Sequence, residues 1–110
     1  MRDIHIYVHV PFCIDTCGYC DFYRKPYRAA QETVYVKALL DEMARRIPRN
    51  SIVASLYFGG GTPSLLSEES WQAIFRRLSG VCSFSSAAEI SLEANPASIT
   101  PRRIALWREL

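Results

Sequence analysis

Cys13, Cys17 and Cys20 stand in one eight-residue run, Cys13-Ile14-Asp15-Thr16-Cys17-Gly18-Tyr19-Cys20, with the spacing C-x3-C-x2-C. Three thiolates this close can turn toward a single centre if the backbone between them loops tightly. A four-iron cluster held by three cysteines keeps one iron without a protein ligand, open to a small molecule. Zinc is the rival: its sites use C-x2-C pairs and close the fourth position with Cys or His. Here only Cys17 and Cys20 form such a pair, and His9 or the distant Cys82 would have to complete a tetrahedron. Thiols left reduced in a cytosolic loop are the bland alternative. The spacing favours iron–sulfur.

Two further stretches could do chemistry. Gly59-Gly60-Gly61-Thr62-Pro63 follows an apolar run, Ile52 to Phe58, that reads as a strand. Glycines permit positive φ and close backbone approach to a ligand, and parallel α/β sheets bind ligands at the C-terminal ends of their strands. A plain turn is the alternative, and the phosphate-loop pattern is absent because no Gly-Lys-Ser/Thr ending follows. Glu93 sits in a strand pattern placed near Glu89 to Asn95, with Ile90, Leu92 and Ala94 on one face and Ser91, Glu93 and Asn95 on the other. A carboxylate turned inward there needs a ligand or a basic partner.

The elements that must position these residues are legible in outline. Ile4 to Val10 alternates, with Ile4, Ile6, Val8 and Val10 on one face and His5, Tyr7 and His9 on the other. The polar-aromatic face either meets water or lines a ligand-bearing interior, so neither histidine is assigned a catalytic role. Pro11 ends that strand and begins the cysteine loop. A helix from about Glu32 to Ile47 carries Val36, Leu39, Leu40, Met43 and Ile47 at helical spacing, and Pro48 stops it. Ser67 caps a second helix with a stripe of Trp71, Ile74, Phe75 and Leu78, which Gly80 is expected to end. Thr100 caps a third, beginning at Pro101, with Ile104, Leu106, Trp107 and Leu110 as its apolar side. Cys82 reads as a small buried hydrophobe.

The 110 residues suffice for one domain or part of one, and a net charge of +2 implies no commitment to nucleic acid. Arg45-Arg46 and Arg76-Arg77 read as solvated helix faces. No apolar run approaches the roughly 20 residues of a membrane span. The start, Met1-Arg2-Asp3-Ile4-His5, enters a strand pattern without a secretion signal, so clustered cysteines point to a reducing compartment, the cytoplasm.

Tyr7-Val8-His9-Val10-Pro11-Phe12-Cys13 leading into Cys17-Gly18-Tyr19-Cys20-Asp21-Phe22 resembles the opening of radical S-adenosylmethionine (radical SAM) proteins. Gly59-Gly60-Gly61-Thr62-Pro63-Ser64 and Glu93-Ala94-Asn95-Pro96 resemble the next two blocks, in the same order. The likeness is strongest to the branch of oxygen-independent coproporphyrinogen III oxidase and HemW-type heme chaperones. It implies an α/β fold, the first three β/α units of a partial (β/α)6 barrel, with residues 1–110 as the N-terminal part of the core domain and later strands and a C-terminal domain absent. Such a stretch alone is expected to be inactive, with marginal stability because its third strand is a bare edge.

The resemblance also implies roles. Cys13, Cys17 and Cys20 would bind a [4Fe-4S] cluster; Tyr7, Gly60, Gly61, Thr62 and Glu93 would contact SAM, with Tyr19 near the adenine. Family chemistry is reductive cleavage of SAM to a radical that abstracts hydrogen from a substrate. Phe22 stands where the oxidases carry a fourth cysteine, so Cys20-Asp21-Phe22 is closer to the heme chaperones, with the oxidase and an anaerobic heme-degrading branch as alternatives. Implied partners are heme or porphyrin, an electron donor such as flavodoxin or ferredoxin, and respiratory enzymes as heme acceptors, with neither nucleic acid binding nor integral membrane insertion. Anaerobically purified protein should be brown and carry iron and sulfide; colourless material carrying zinc, measured by elemental analysis, would overturn this reading.

Overall fold

The computed structural model describes residues 2–13, 25–26, 29–94 and 101–109. The expectations for Cys17, Tyr19, Cys20, Phe22, Asn95-Pro96, the Thr100 cap and Leu110 fall outside them.

Three strands form one parallel sheet in the order β1 (Arg2–Val10), β4 (Ser51–Gly60), β5 (Ser83–Leu92). Helices α1 (Ala29–Arg46) and α2 (Glu68–Val81) connect successive strands, and α3 (Pro101–Glu109) follows the last. This is the α/β alternation expected from the sequence. A second, two-residue parallel ladder joins β2 (Phe12–Cys13) to β3 (Lys25–Pro26).

Alternation along β1 divides the sheet's two faces. Val8 and Val10 are buried against the helices, and Ile4 and Ile6 pack beside them; His5, Tyr7 and His9 lie on the open face. β4 and β5 continue the division, since Tyr7 pairs with Tyr57 and Tyr57 with Ser91, while Val8 pairs with Phe58 and Phe58 with Leu92. On the helix side Phe58 packs edge-on against Trp71, with ring centroids 4.8 Å apart, and Trp71 in turn meets Trp107 of α3 at 6.1 Å. Ile74, Leu78 and Leu106 complete this cluster, as helical spacing foretold.

Four expectations need correction. β5 starts at Ser83 and ends at Leu92, where the sequence reading placed it at Glu89 to Asn95. Ser83 and Phe84 pair with Ile52 and Val53; the ladder then breaks and resumes at Glu89 opposite Ser55. The small residues Ser85 to Ala88 disguise this as loop. Helix α1 opens three residues earlier than Glu32, at Ala29. Gly80 does not end α2, which runs on to Val81. The Leu78 carbonyl accepts both the Cys82 N–H at 3.0 Å and the Cys82 thiol at 3.2 Å, so the terminus is satisfied without a left-handed glycine. Ile104, assigned to the apolar side of α3, is exposed instead.

Ser67 caps α2 as expected, its hydroxyl accepting from the Ser70 N–H at 3.1 Å. Glu32, buried in the first turn of α1, accepts from the Ser67 N–H at 3.0 Å and from the Ser70 hydroxyl, which locks the two helices together. Arg45 and Arg46 pair with Asp41 and Glu42 one turn back on the solvated face of α1.

Trp71 is almost fully enclosed and touches both Phe58 and Trp107. Trp71→Ala should cost about 3–5 kcal/mol through lost transfer energy and a residual cavity. The expected readout is a large fall in the urea midpoint, or recovery only from the insoluble fraction.

Candidate functional site

Those residues singled out for chemistry that the structure describes gather at the C-terminal ends of the parallel strands. Pro11, which lacks an N–H, breaks β1 after Val10, and the chain turns into β2. There Phe12 pairs with Lys25 and Cys13 with Pro26, so the ladder closes the neck of the segment that carries Cys17 and Cys20. Phe12 is the anchor of that neck: its ring is buried and meets Tyr35 of α1 edge-on at 5.4 Å. The Tyr35 hydroxyl donates to the His9 carbonyl at 2.6 Å, and burial pushes its phenol pKa far above the ordinary value.

The glycine loop is stitched to the same place. Gly61 N–H donates to the Val10 carbonyl at 2.7 Å, and Thr62 N–H to the Phe12 carbonyl at 2.6 Å. Thr62 is buried and leads into a short 3-10 turn, Pro63–Leu65. Gly60 has φ +104, and a Cβ there would lie 2.6 Å from the His9 ring. This position demands glycine on both counts.

Gly59 lies at the centre of the open face. A Cβ on it would come within 2.7 Å of Tyr57 Cε1, 2.8 Å of Glu93 Oε1 and 2.9 Å of the Tyr7 hydroxyl. The missing side chain lets functional groups from β1, β4 and the residue just past β5 converge over the backbone. Tyr7 and Tyr57 stack with centroids 5.8 Å apart and planes 14° from parallel. Glu93, just past β5, is held by its N–H on the Phe58 carbonyl at 2.9 Å and accepts a 2.9 Å hydrogen bond from the Tyr57 hydroxyl. Its partner among the described residues is thus a phenol and not the basic residue weighed from sequence.

Tyr7, Gly60, Gly61 and Glu93 are therefore brought to one edge, and Thr62 sits just behind them. Cys13 is placed by its backbone at the neck; Cys17, Cys20 and Tyr19 lie outside the described residues. Cys82 is remote, partly buried, and its thiol pKa is pushed up by burial, which suits the packing role read from sequence. His5 donates to or accepts from Ser55 Oγ at 2.7 Å lower on the open face, and His9 lies 3.4 Å from the Tyr7 hydroxyl. A groove of about 670 Å3 between α1 and α2 lies on the other side of the sheet and contains none of these residues.

Sequence reasoning missed Tyr57. The signal was its parity with Gly59, two residues on, in a strand whose faces had not been assigned.

The radical SAM superfamily model matches residues 7–110. Heme chaperone HemW of Buchnera aphidicola subsp. Schizaphis graminum is 36% identical over 103 residues, covering 91% of this chain and 27% of that protein. The bovine protein named radical S-adenosyl methionine domain-containing protein 1, mitochondrial, is 33% identical over 104 residues, covering 93% and 24%. Among solved structures, coproporphyrinogen III oxidase (HemN) from Escherichia coli superimposes with a TM-score of 0.89 at 31% identity, over 98% of this chain and 26% of that one. The chain thus spans about a quarter of the length of these relatives.

The Tyr57 phenol pKa is raised, first by its hydrogen bond to Glu93 and then by partial desolvation and the neighbouring charge. A raised folded-state pKa means this bond stabilises fully below the ordinary phenol value and loses its contribution as pH climbs through the raised one. Glu93→Gln should move the Tyr57 titration down toward the ordinary value, followed by phenolate absorbance against a Tyr57→Phe control.

Proposed function

The chain belongs to the radical SAM superfamily and forms the first three β/α units of its barrel, and on that premise we propose that it is the front of a HemW-type heme chaperone's core domain. The observation that carries the cofactor reading is the convergence of Tyr7, Gly59 and Glu93 at the strand ends, beside the neck of the cysteine loop.

The residues fit the groups the family uses. Cys13, Cys17 and Cys20 offer three thiolates from one loop whose base is closed by β2 and β3, the donor set of a [4Fe-4S] cluster with one open iron. When bound, the cluster and SAM supply one-electron cleavage of a carbon–sulfur bond. Around them the chain's own residues bind and orient. Gly60 and Gly61 offer backbone carbonyls to SAM's ammonium, and Glu93 offers a carboxylate to its polar end. Thr62 backs the glycine turn. Tyr7 would contact SAM, and Tyr19, between two ligand cysteines in the sequence, would lie near the adenine as the family resemblance implies. The sheet's open face, with Tyr7, Tyr57 and Ser91 in one row, is the wall that later strands would close into a barrel interior.

Heme transfer as the task of the complete protein is supported by the similarity to HemW and by Phe22, which occupies the place of the oxidases' fourth cysteine. Coproporphyrinogen III oxidation is the second reading, favoured by the backbone likeness to HemN. Either assigns heme or porphyrin as the ligand, a flavodoxin or ferredoxin as the electron source and the reducing cytoplasm as the compartment. The chaperone adds respiratory enzymes as acceptors. None of the described helices is long and apolar enough to cross a membrane.

A full-length parent, reconstituted with iron and sulfide under nitrogen, should bind heme stoichiometrically and form no vinyl groups from coproporphyrinogen. Vinyl formation would assign the oxidase instead, and replacing Cys13, Cys17 or Cys20 by Ala should abolish the brown chromophore in both cases.

A further inference from the structure

Tyr57 stands at the strand-end site but has no part in the proposed cofactor contacts. Its hydroxyl donates to Glu93 Oε1 at 2.9 Å, the same oxygen that lies over Gly59. Its ring stacks on Tyr7, 5.8 Å away and 14° from parallel. It therefore touches two of the side chains that the reading above gives to SAM, Glu93 through its hydroxyl and Tyr7 through its ring face. Glu93 lies beyond the last residue of β5, where the ladder to β4 no longer holds it except through its N–H on Phe58. A carboxylate at such a position has free rotamers unless something fixes it. Among the described residues its second oxygen, Oε2, takes no hydrogen bond.

We propose that Tyr57 is a positioning residue: its hydroxyl fixes Oε1 of Glu93 so that Oε2 faces the ligand, while its ring sets the plane of Tyr7. This rests on the reading that Glu93 contacts SAM. The donor costs the carboxylate one acceptor site and removes a rotational freedom that SAM binding would otherwise have to freeze. The phenol pKa, raised chiefly by the same hydrogen bond, is consistent with a proton held on Tyr57 and shared toward the carboxylate.

The test is a double-mutant cycle in the full chain with its cluster reconstituted under nitrogen, reading SAM affinity by equilibrium dialysis. Tyr57→Phe keeps the stack and removes the donor, and should weaken SAM binding about three- to tenfold, the range of one ordinary hydrogen bond. In a Glu93→Gln background the same substitution should change affinity little, because the carboxylate it positions is gone. Iron content, measured alongside, should stay at the parent's value, and the thermal midpoint should fall only by the small contribution of one exposed hydrogen bond. Unchanged affinity in Tyr57→Phe, or an equal loss in both backgrounds, overturns the positioning role. If Glu93→Gln alone leaves affinity unchanged, the assignment of Glu93 to SAM fails and the inference falls with it, a result distinguishable from the other two.

Discussion

Two backbone hydrogen bonds tie the chemistry-bearing loops together: Gly61 to Val10 and Thr62 to Phe12. They extend the β1–β4 ladder past the point where both strands stop being strands. Each is worth only about 0.5–1.5 kcal/mol net, yet their effect on geometry is large. The glycine turn cannot move without pulling on the residue that precedes Cys13. Pro11, between the two acceptors, has no N–H to offer and holds its own φ, which narrows the range of spacings open to Val10 and Phe12. Phe12's burial against Tyr35 then pins the neck of the loop from the other side.

The same alternation that builds the core also builds the site. Val8, Phe58 and Leu92 face the helices, and one step along each strand Tyr7, Tyr57 and Ser91 face away. A core of interlocked aromatics, Phe58 on Trp71 on Trp107, keeps the strands at a fixed rotation. The open face inherits that rotation with little packing of its own beyond the Tyr7–Tyr57 stack. This is why polar and aromatic groups can sit there partly exposed and still hold stacking and hydrogen-bond geometry.

Much of this could be read from residue types alone, for identifiable reasons. A glycine triplet after an apolar run and helical stripes such as Trp71, Ile74 and Leu78 are local signals, and they appear where expected; of the cysteine run only Cys13 lies among the described residues. The faces of β1 and the upper part of β5 followed from period-two alternation. The start of β5 did not, because Ser85 to Ala88 break the ladder and carry no alternation to detect. Gly80 misled for the opposite reason: it carries a strong stop signal that the Leu78 carbonyl's two other donors make unnecessary. Tyr57 was hidden because its importance comes from pairing with Tyr7 and reaching Glu93, both relations between distant parts of the chain. The need for glycine at 59 has the same origin, since what excludes a methyl there is three side chains, of which Tyr7 and Glu93 come from distant parts of the chain.

Ala54 is the surplus residue of β4: Val53 pairs with Ile4 and Ser55 with His5, leaving nothing opposite it. Which side Leu56 and Tyr57 occupy is therefore governed by a count and not by a composition. Losing Ala54 would leave an uninterrupted strand with the same inside and outside, whereas one more inserted residue would have to be absorbed into a wider irregularity or would rotate everything above it by half a turn. For a lineage accumulating changes, the loss of Ala54 leaves the facing of the residues above it intact, whereas a gain in length does not.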